Sequence, residues 1–222
     1  MKIRLIAICI LVCAFSSCGI YHPQLAEVPL IDHKGDIRFS TKITSPFILN
    51  TTLTTGITNH IALQLHTDVY APDFPIHYSH FAFGYYQPFG ASVLEGYAGI
   101  GFNFGNISAF GHTFKSSGWS RIPFLQMNYG WKDLTKAHID IGASIKAGVI
   151  FPNMSYYDNE NGNQIQTHSA AGVIEPQVFF RIGSEKIKYS IQTGWCQSVL
   201  RREPTNWWYP FTIGMGLTMF LK

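Results

Sequence analysis

The chain has 222 residues, of which 13% are charged and 15% aromatic, with a formal net charge of +3. Charge stands at about half the ~25% usual for soluble domains, while the aromatic content excludes a disordered chain. The basic excess is too small and too dispersed for a nucleic-acid surface, and no apolar run approaches the ~20 residues of a spanning helix.

The chain opens with Met1-Lys2-Ile3-Arg4, a short positive region, followed by an apolar run from Leu5 to Phe15 and the small pair Ser16-Ser17. That order is a secretory signal peptide, residues 1–17. The Cys18-Gly19 that follows resembles a bacterial lipoprotein cleavage site. Cys18 then becomes the first mature residue, with diacylglycerol on its sulfur and an acyl chain such as palmitate on its amine. Several chains anchor stably where one binds only marginally. Cys9 and Cys13 depart with the signal, so Cys196 remains alone and no disulfide forms within the mature chain. Its expected role is packing. Residues 18–34, with Pro23 and Pro29 and no periodicity, read as an acylated linker, and 35–222 as the folded domain.

From residue 35 onward the pattern has period 2. Ile37, Phe39 and Ile43 alternate with Arg38, Ser40 and Lys42. Ile61, Leu63, Leu65 and Val69 alternate with Gln64, His66 and Asp68. The same holds from Ile139 to Val149 and from Ile213 to Leu221. Alternation over such lengths means strands with one apolar and one polar face. Ten segments qualify: 35–45, 47–57, 60–70, 77–88, 92–105, 119–131, 137–150, 171–183, 186–196 and 210–221. Most exceed the ~5–6 residues of ordinary strands and match the ~9–11 needed to cross a bilayer at a tilt. The connections at Thr58-Asn59, Gln87 to Ala91, Lys132 to Lys136 and Ser184-Glu185 are short. Those at 71–76, 106–118, 152–170 and 197–209 are longer. Such asymmetry is the habit of outer-membrane barrels. The expected fold is therefore all-β, a closed antiparallel up-and-down transmembrane barrel of ten strands, with eight as the alternative count. An even number puts both termini on the periplasmic, short-turn side, with Cys18 in the inner leaflet of the outer membrane.

The polar faces carry Asp36, Asp68, Glu95, Asp140 and Glu175 against Arg38, Lys42, Lys146, Arg181 and Lys188. Balanced charge suits a narrow lumen, where an unpaired ion is very costly. The expected lumen network comprises Asp36, Arg38, Lys42, Glu95, Asp140, Lys146, Glu175 and Arg181. Ten strands enclose a space that side chains largely fill, so the lumen is expected to be plugged. Trp119, Trp131, Tyr189, Trp195, Trp207, Trp208 and Tyr209 near strand ends fit aromatic girdles. A soluble barrel would invert the faces and place the apolar residues around a ligand.

Several stretches carry a resemblance. They are Val28-Pro29-Leu30 with Lys34-Gly35-Asp36, Gly84-Tyr85-Tyr86-Gln87-Pro88-Phe89, Glu95-Gly96-Tyr97-Ala98-Gly99-Ile100-Gly101, Phe124-Leu125-Gln126-Met127-Asn128-Tyr129-Gly130, and Glu175-Pro176. Over nearly the whole mature chain the sequence resembles a family of uncharacterised, lipoprotein-tagged outer-membrane β-barrel proteins of Gram-negative bacteria. The resemblance implies fold and location and brings no activity.

Candidate chemistry centres on one hairpin. With the turn centred near Asp73, His66 faces His80 and Asp68 faces Tyr78, at the ~4.5–5.5 Å Cβ spacing of opposed residues. Two imidazoles beside a carboxylate are a group able to activate water or hold Zn²⁺. There is no Gly-x-Ser-x-Gly elbow, no phosphate-binding loop and no His-Glu-x-x-His, so no cofactor is expected. The loop with Tyr156-Tyr157-Asp158-Asn159-Glu160 offers oxygen ligands, and Arg201-Arg202 offers contacts to lipopolysaccharide phosphates. The expected function is a structural or surface-interacting barrel whose partners are outer-membrane lipid and lipopolysaccharide, not nucleic acid. The alternatives are a rim hydrolase using the His66, Asp68, Tyr78 and His80 cluster, and a lipid-anchored periplasmic barrel binding an apolar ligand.

Overall fold

The computed structural model describes residues 24–45, 47–70, 76–109, 114–158, 163–167, 169–200 and 211–221. The signal peptide, Cys18, Asn159-Glu160, the Arg201-Arg202 pair and Trp207 to Tyr209 lie outside them.

The strands are β1 (Ile37–Thr44), β2 (Ile48–Gly56), β3 (Ile61–Tyr70), β4 (Ile76–Phe89), β5 (Ser92–Ala109) and β6 (Phe114–Trp131). They continue with β7 (Asp140–Asp158), β8 (Asn163–Thr167), β9 (Ala171–Gly183), β10 (Ile187–Trp195), β11 (Gln197–Leu200) and β12 (Phe211–Leu221). Among the described residues there is no helix. Consecutive neighbours pair from β1 to β7, then β7 with β9, β9 with β10, β10 with β12, and β12 with β1. The result is a closed ten-stranded antiparallel barrel. β8 adds a rung to the far end of β7, and β11 continues the β10 wall along β9 beyond Cys196. Cys196 is a free, fully buried thiol at that break.

Short connections at 57–60, 90–91, 132–139 and 184–186 gather at one end, called here the turn end. The opposite, loop end carries the connections after β1, β3, β5, β7 and β11. β1 and β2 have 8 and 9 residues, whereas β5, β6 and β7 have 18, 18 and 19. The wall is therefore lopsided. Residues 106–109 and 114–118, expected within one of the longer connections, continue the ladder instead, with Asn106 opposite Ser117 and Ala109 opposite Phe114. β8 was likewise unforeseen. Above the apolar belt no face need be greasy, so the period-2 signal fades while the backbone ladder persists.

Alternation has the expected polarity. Leu65, Leu125, Met127, Ile145 and Met215 point outward and are exposed, Leu125 at 67%. Asp140, Lys146 and Arg181 point inward at 2% exposure or less. A barrel with its apolar face around a central ligand is the opposite of what these residues build.

The interior holds something the linker reading of 18–34 did not foresee. Residues 24–31 are all buried. They run inside the barrel, bonded to strands all round it. The Gln24 amide donates to Glu175 on β9, and the Ala26 amide to Gln177. Gln192 on β10 donates to the Ala26 carbonyl, Gln126 on β6 to the Glu27 carbonyl, and Arg181 to the Val28 carbonyl. The Ile31 amide donates to Glu95 on β5. Val28, Leu30 and Ile31 pack on the inward Ala62, Ala82, Tyr86, Tyr97, Phe124 and Phe179. The segment descends to the turn end, where Gly35, at φ +86°, reverses the chain into β1. That φ is open to glycine at no steric cost. The Gly35 amide donates to the Gly56 carbonyl, fixing the reversal against the end of β2.

Candidate functional site: the barrel lumen

The inward positions of the wall strands carry most of the chain's buried charged side chains beside the apolar ones that meet Val28, Leu30 and Ile31. A buried charge there must be paired, and three tiers of pairs answer that need.

At the turn end, Arg38 reaches Asp36 at 3.0 Å and Asp32 at 3.4 Å, and Lys132 reaches Asp32 at 2.6 Å. Burial and the neighbouring Asp32 push the Asp36 carboxyl above its ordinary value, against the pull of Arg38. Burial pushes Asp32 the same way, but bonds from Asp36 and Lys132 hold it well below. Lys188 bonds Asp140 at 2.5 Å and Asp133 at 2.8 Å. Both Arg38 and Lys188 lie over the Phe220 ring, 4.6 and 5.0 Å from its centre. Asp32, His33 and Asp36 bring metal-ligand atoms within 4.8 Å of one another, yet Arg38 and Lys132 already engage both carboxylates. This is an ion-pair cluster.

In the middle tier Glu27 bonds Lys42 from β1 and Arg181 from β9, the latter at 2.9 Å. Arg181 also rests on Phe179, 4.5 Å from the ring centre. Asn128 donates to Glu95 at 3.0 Å.

In the upper tier Lys146 donates to Gln24 at 2.5 Å and to the Tyr78 hydroxyl at 3.4 Å. The β3–β4 register puts His66 opposite His80 and Asp68 opposite Tyr78, as the hairpin arithmetic predicts. The imidazoles stack 4.7 Å apart at 12°. His66 Nε2 lies 2.6 Å from Asp68 Oδ1, and its Nδ1 is 2.7 Å from the Thr52 hydroxyl. His80 Nε2 bonds Gln64 at 3.1 Å. The lone pairs of stacked rings lie in near-parallel, separated planes, so the two imidazoles do not converge on one tetrahedral ion. Thr52, His66 and Asp68 do form a hydroxyl–imidazole–carboxylate relay. All three are buried.

The eight residues expected to form the lumen network all face inward and are buried. Asp36 and Arg38 pair with each other. Lys42, Lys146 and Arg181 instead find partners on the inner segment, and so does Glu95 through a backbone amide. Asp140 is met by Lys188. Sequence reasoning missed Gln24, Glu27, Asp32, Lys132 and Asp133. The signal for Glu27 was its setting, one acid within Leu25-Ala26-Glu27-Val28-Pro29-Leu30-Ile31, a stretch too apolar for a wetted tether.

No family model matches the chain, and no curated protein does. Among solved structures the chain is similar to OmpT, an outer-membrane protein of Vibrio cholerae. The identity is 7% and the TM-score 0.21, covering 84% of this chain and 96% of that one.

Proposed function

We propose that this protein is an outer-membrane β-barrel lipoprotein of the kind its sequence resembles, plugged by its own N-terminal segment and serving a structural or surface-interaction role. The observation that carries this reading is the inverted polarity. Exposed apolar side chains ring the outside, while ion pairs and residues 24–31 fill the inside. In water that exterior would be an aggregation surface; in hydrocarbon it is the expected one. Trp131 and Tyr189 toward the turn end, and Trp195 and Phe211 toward the loop end, fit two interfacial levels.

The short turns mark the periplasmic side. The interaction role is supported by β5 to β8. A bilayer needs ~9–11 residues per strand, so strands of 18 and 19 residues stand well clear of it on the loop side. They form a ribbon above lipid and lipopolysaccharide. Replacing Cys18 with Ser should leave the chain in the membrane fraction; its release in soluble form would overturn the barrel reading. In planar bilayers the protein should not conduct, and steady conductance would overturn the plug.

A second reading, a hydrolase at the rim, rests on the Thr52–His66–Asp68 relay. It requires a hydrolytic activity on lipid or peptide esters that His66→Ala abolishes. Activity unchanged by that substitution removes it.

A further inference from the structure

We propose that the N-terminus is threaded through the barrel, so that the acylated Cys18 emerges at the loop end, opposite the C-terminus, and anchors in the outer leaflet. This rests on the reading of an acylated membrane barrel, and it places that anchor on the far side from where the strand count alone would put it.

The direction of residues 24–36 carries the argument. Gly35 is bonded to Gly56, the last residue of β2 at the turn end. Ile31 bonds Glu95, three residues into β5 from that same end. Going backward, each residue meets partners farther along the walls. Glu27 meets Lys42, Ala26 meets Gln177 and Gln192, and Leu25 lies against Gly214. The ladder partner of Gly214 is Thr44, the last residue of β1 at the loop end. Gln24 meets Glu175 and Lys146, and Lys146 touches Tyr78, two residues from the loop end of β4. The segment has traversed most of the lumen by Gln24.

Only five residues lie between Cys18 and Gln24, a reach of at most about 20 Å from one Cα to the other. That suffices to leave by the near mouth. A return to the turn end must first reverse direction and then retrace the length spanned by residues 24–35, about twice the run of chain available between Cys18 and Gln24. A closed barrel offers no side exit. The intervening Gly19-Ile20-Tyr21-His22-Pro23 carries no Lys, Arg, Asp or Glu, which suits a path ending at a lipid surface.

The test uses the full chain in the outer membrane of a Gram-negative host, with Cys196→Ser as the parent. His22→Cys and, at the exposed periplasmic turn, Lys186→Cys are each treated with a membrane-impermeant sulfonated maleimide. Threading predicts that the residue 22 site reacts on intact cells, whereas the residue 186 site reacts only after the outer membrane is permeabilised. Reaction of both sites under the same condition, or no reaction at residue 22 in either, overturns it. Radiolabelled palmitate incorporation, compared with Cys18→Ala, reads acylation separately. Absence of palmitate would defeat the anchor while the maleimide pattern still reports the path.

Discussion

Glu27 accepts a hydrogen bond from Arg181 at 2.9 Å, joining the segment inside the barrel to the β9 wall. The same carboxylate also holds Lys42 from β1, so one side chain of the inner segment pairs with two cations carried by the wall. The inner segment and the barrel wall are therefore electrostatically one unit.

Removing that carboxylate leaves two buried cations without their shared partner. Glu27→Ala should destabilise the folded barrel by ~3–5 kcal/mol, the usual cost of breaking a buried pair. Glu27→Gln keeps the hydrogen-bond acceptor and should cost less. The midpoint of thermal unfolding in detergent, followed by the loss of fast gel migration, measures both. Equal stability of wild type and Glu27→Ala would mean the segment does not reside in the lumen.

Much of this was legible in the sequence, and the boundary of legibility has a physical cause. The faces of β7 and β12 are written directly by alternation, because one side must be apolar and the other must not. The opposition of His66 with His80 followed from turn length. The inner segment was not legible. Leu25, Val28, Leu30 and Ile31 adopt no repeating geometry, and Pro29 interrupts them, so no period records their burial. Nor do the four residues Asn106 to Ala109, too few to set a period of their own, announce that the β5 ladder continues past Gly105.

Glycines on β4 and β5 separate inside from outside. A methyl on Gly84 would overlap the Tyr97 ring, which lies across it inside the lumen, whereas one on Gly96, facing outward, would meet nothing within 4 Å. Gly84→Ala should cost ~1–3 kcal/mol, as overpacking does, and Gly96→Ala should be close to neutral. Unfolding midpoints of the two variants in the same detergent check the contrast.

Acid sensitivity is expected at the turn end. Burial tends to raise the Asp133 carboxyl, but bonds from Lys188 and His138 prevail and hold it below its ordinary value of 3.8. A carboxylate lowered on folding contributes stability that is complete above 3.8 and is lost as pH falls through the lower folded value. Asp133→Asn should therefore be less stable than wild type at neutral pH, with the two curves converging in acid. Unfolding midpoints across pH 2 to 7 (roughly the window set by the ordinary carboxylate value) read the convergence directly.

The central claim is that the greasy face meets hydrocarbon. A nitroxide at Leu125→Cys, and another at Lys146→Cys, are introduced into the Cys18→Ser, Cys196→Ser chain refolded in lipid vesicles. Collision with oxygen and with a water-soluble nickel complex is then compared by paramagnetic resonance. The account predicts that the Leu125 label meets oxygen freely and nickel hardly at all, while the Lys146 label is shielded from both. A Leu125 label that collides mainly with nickel would contradict it.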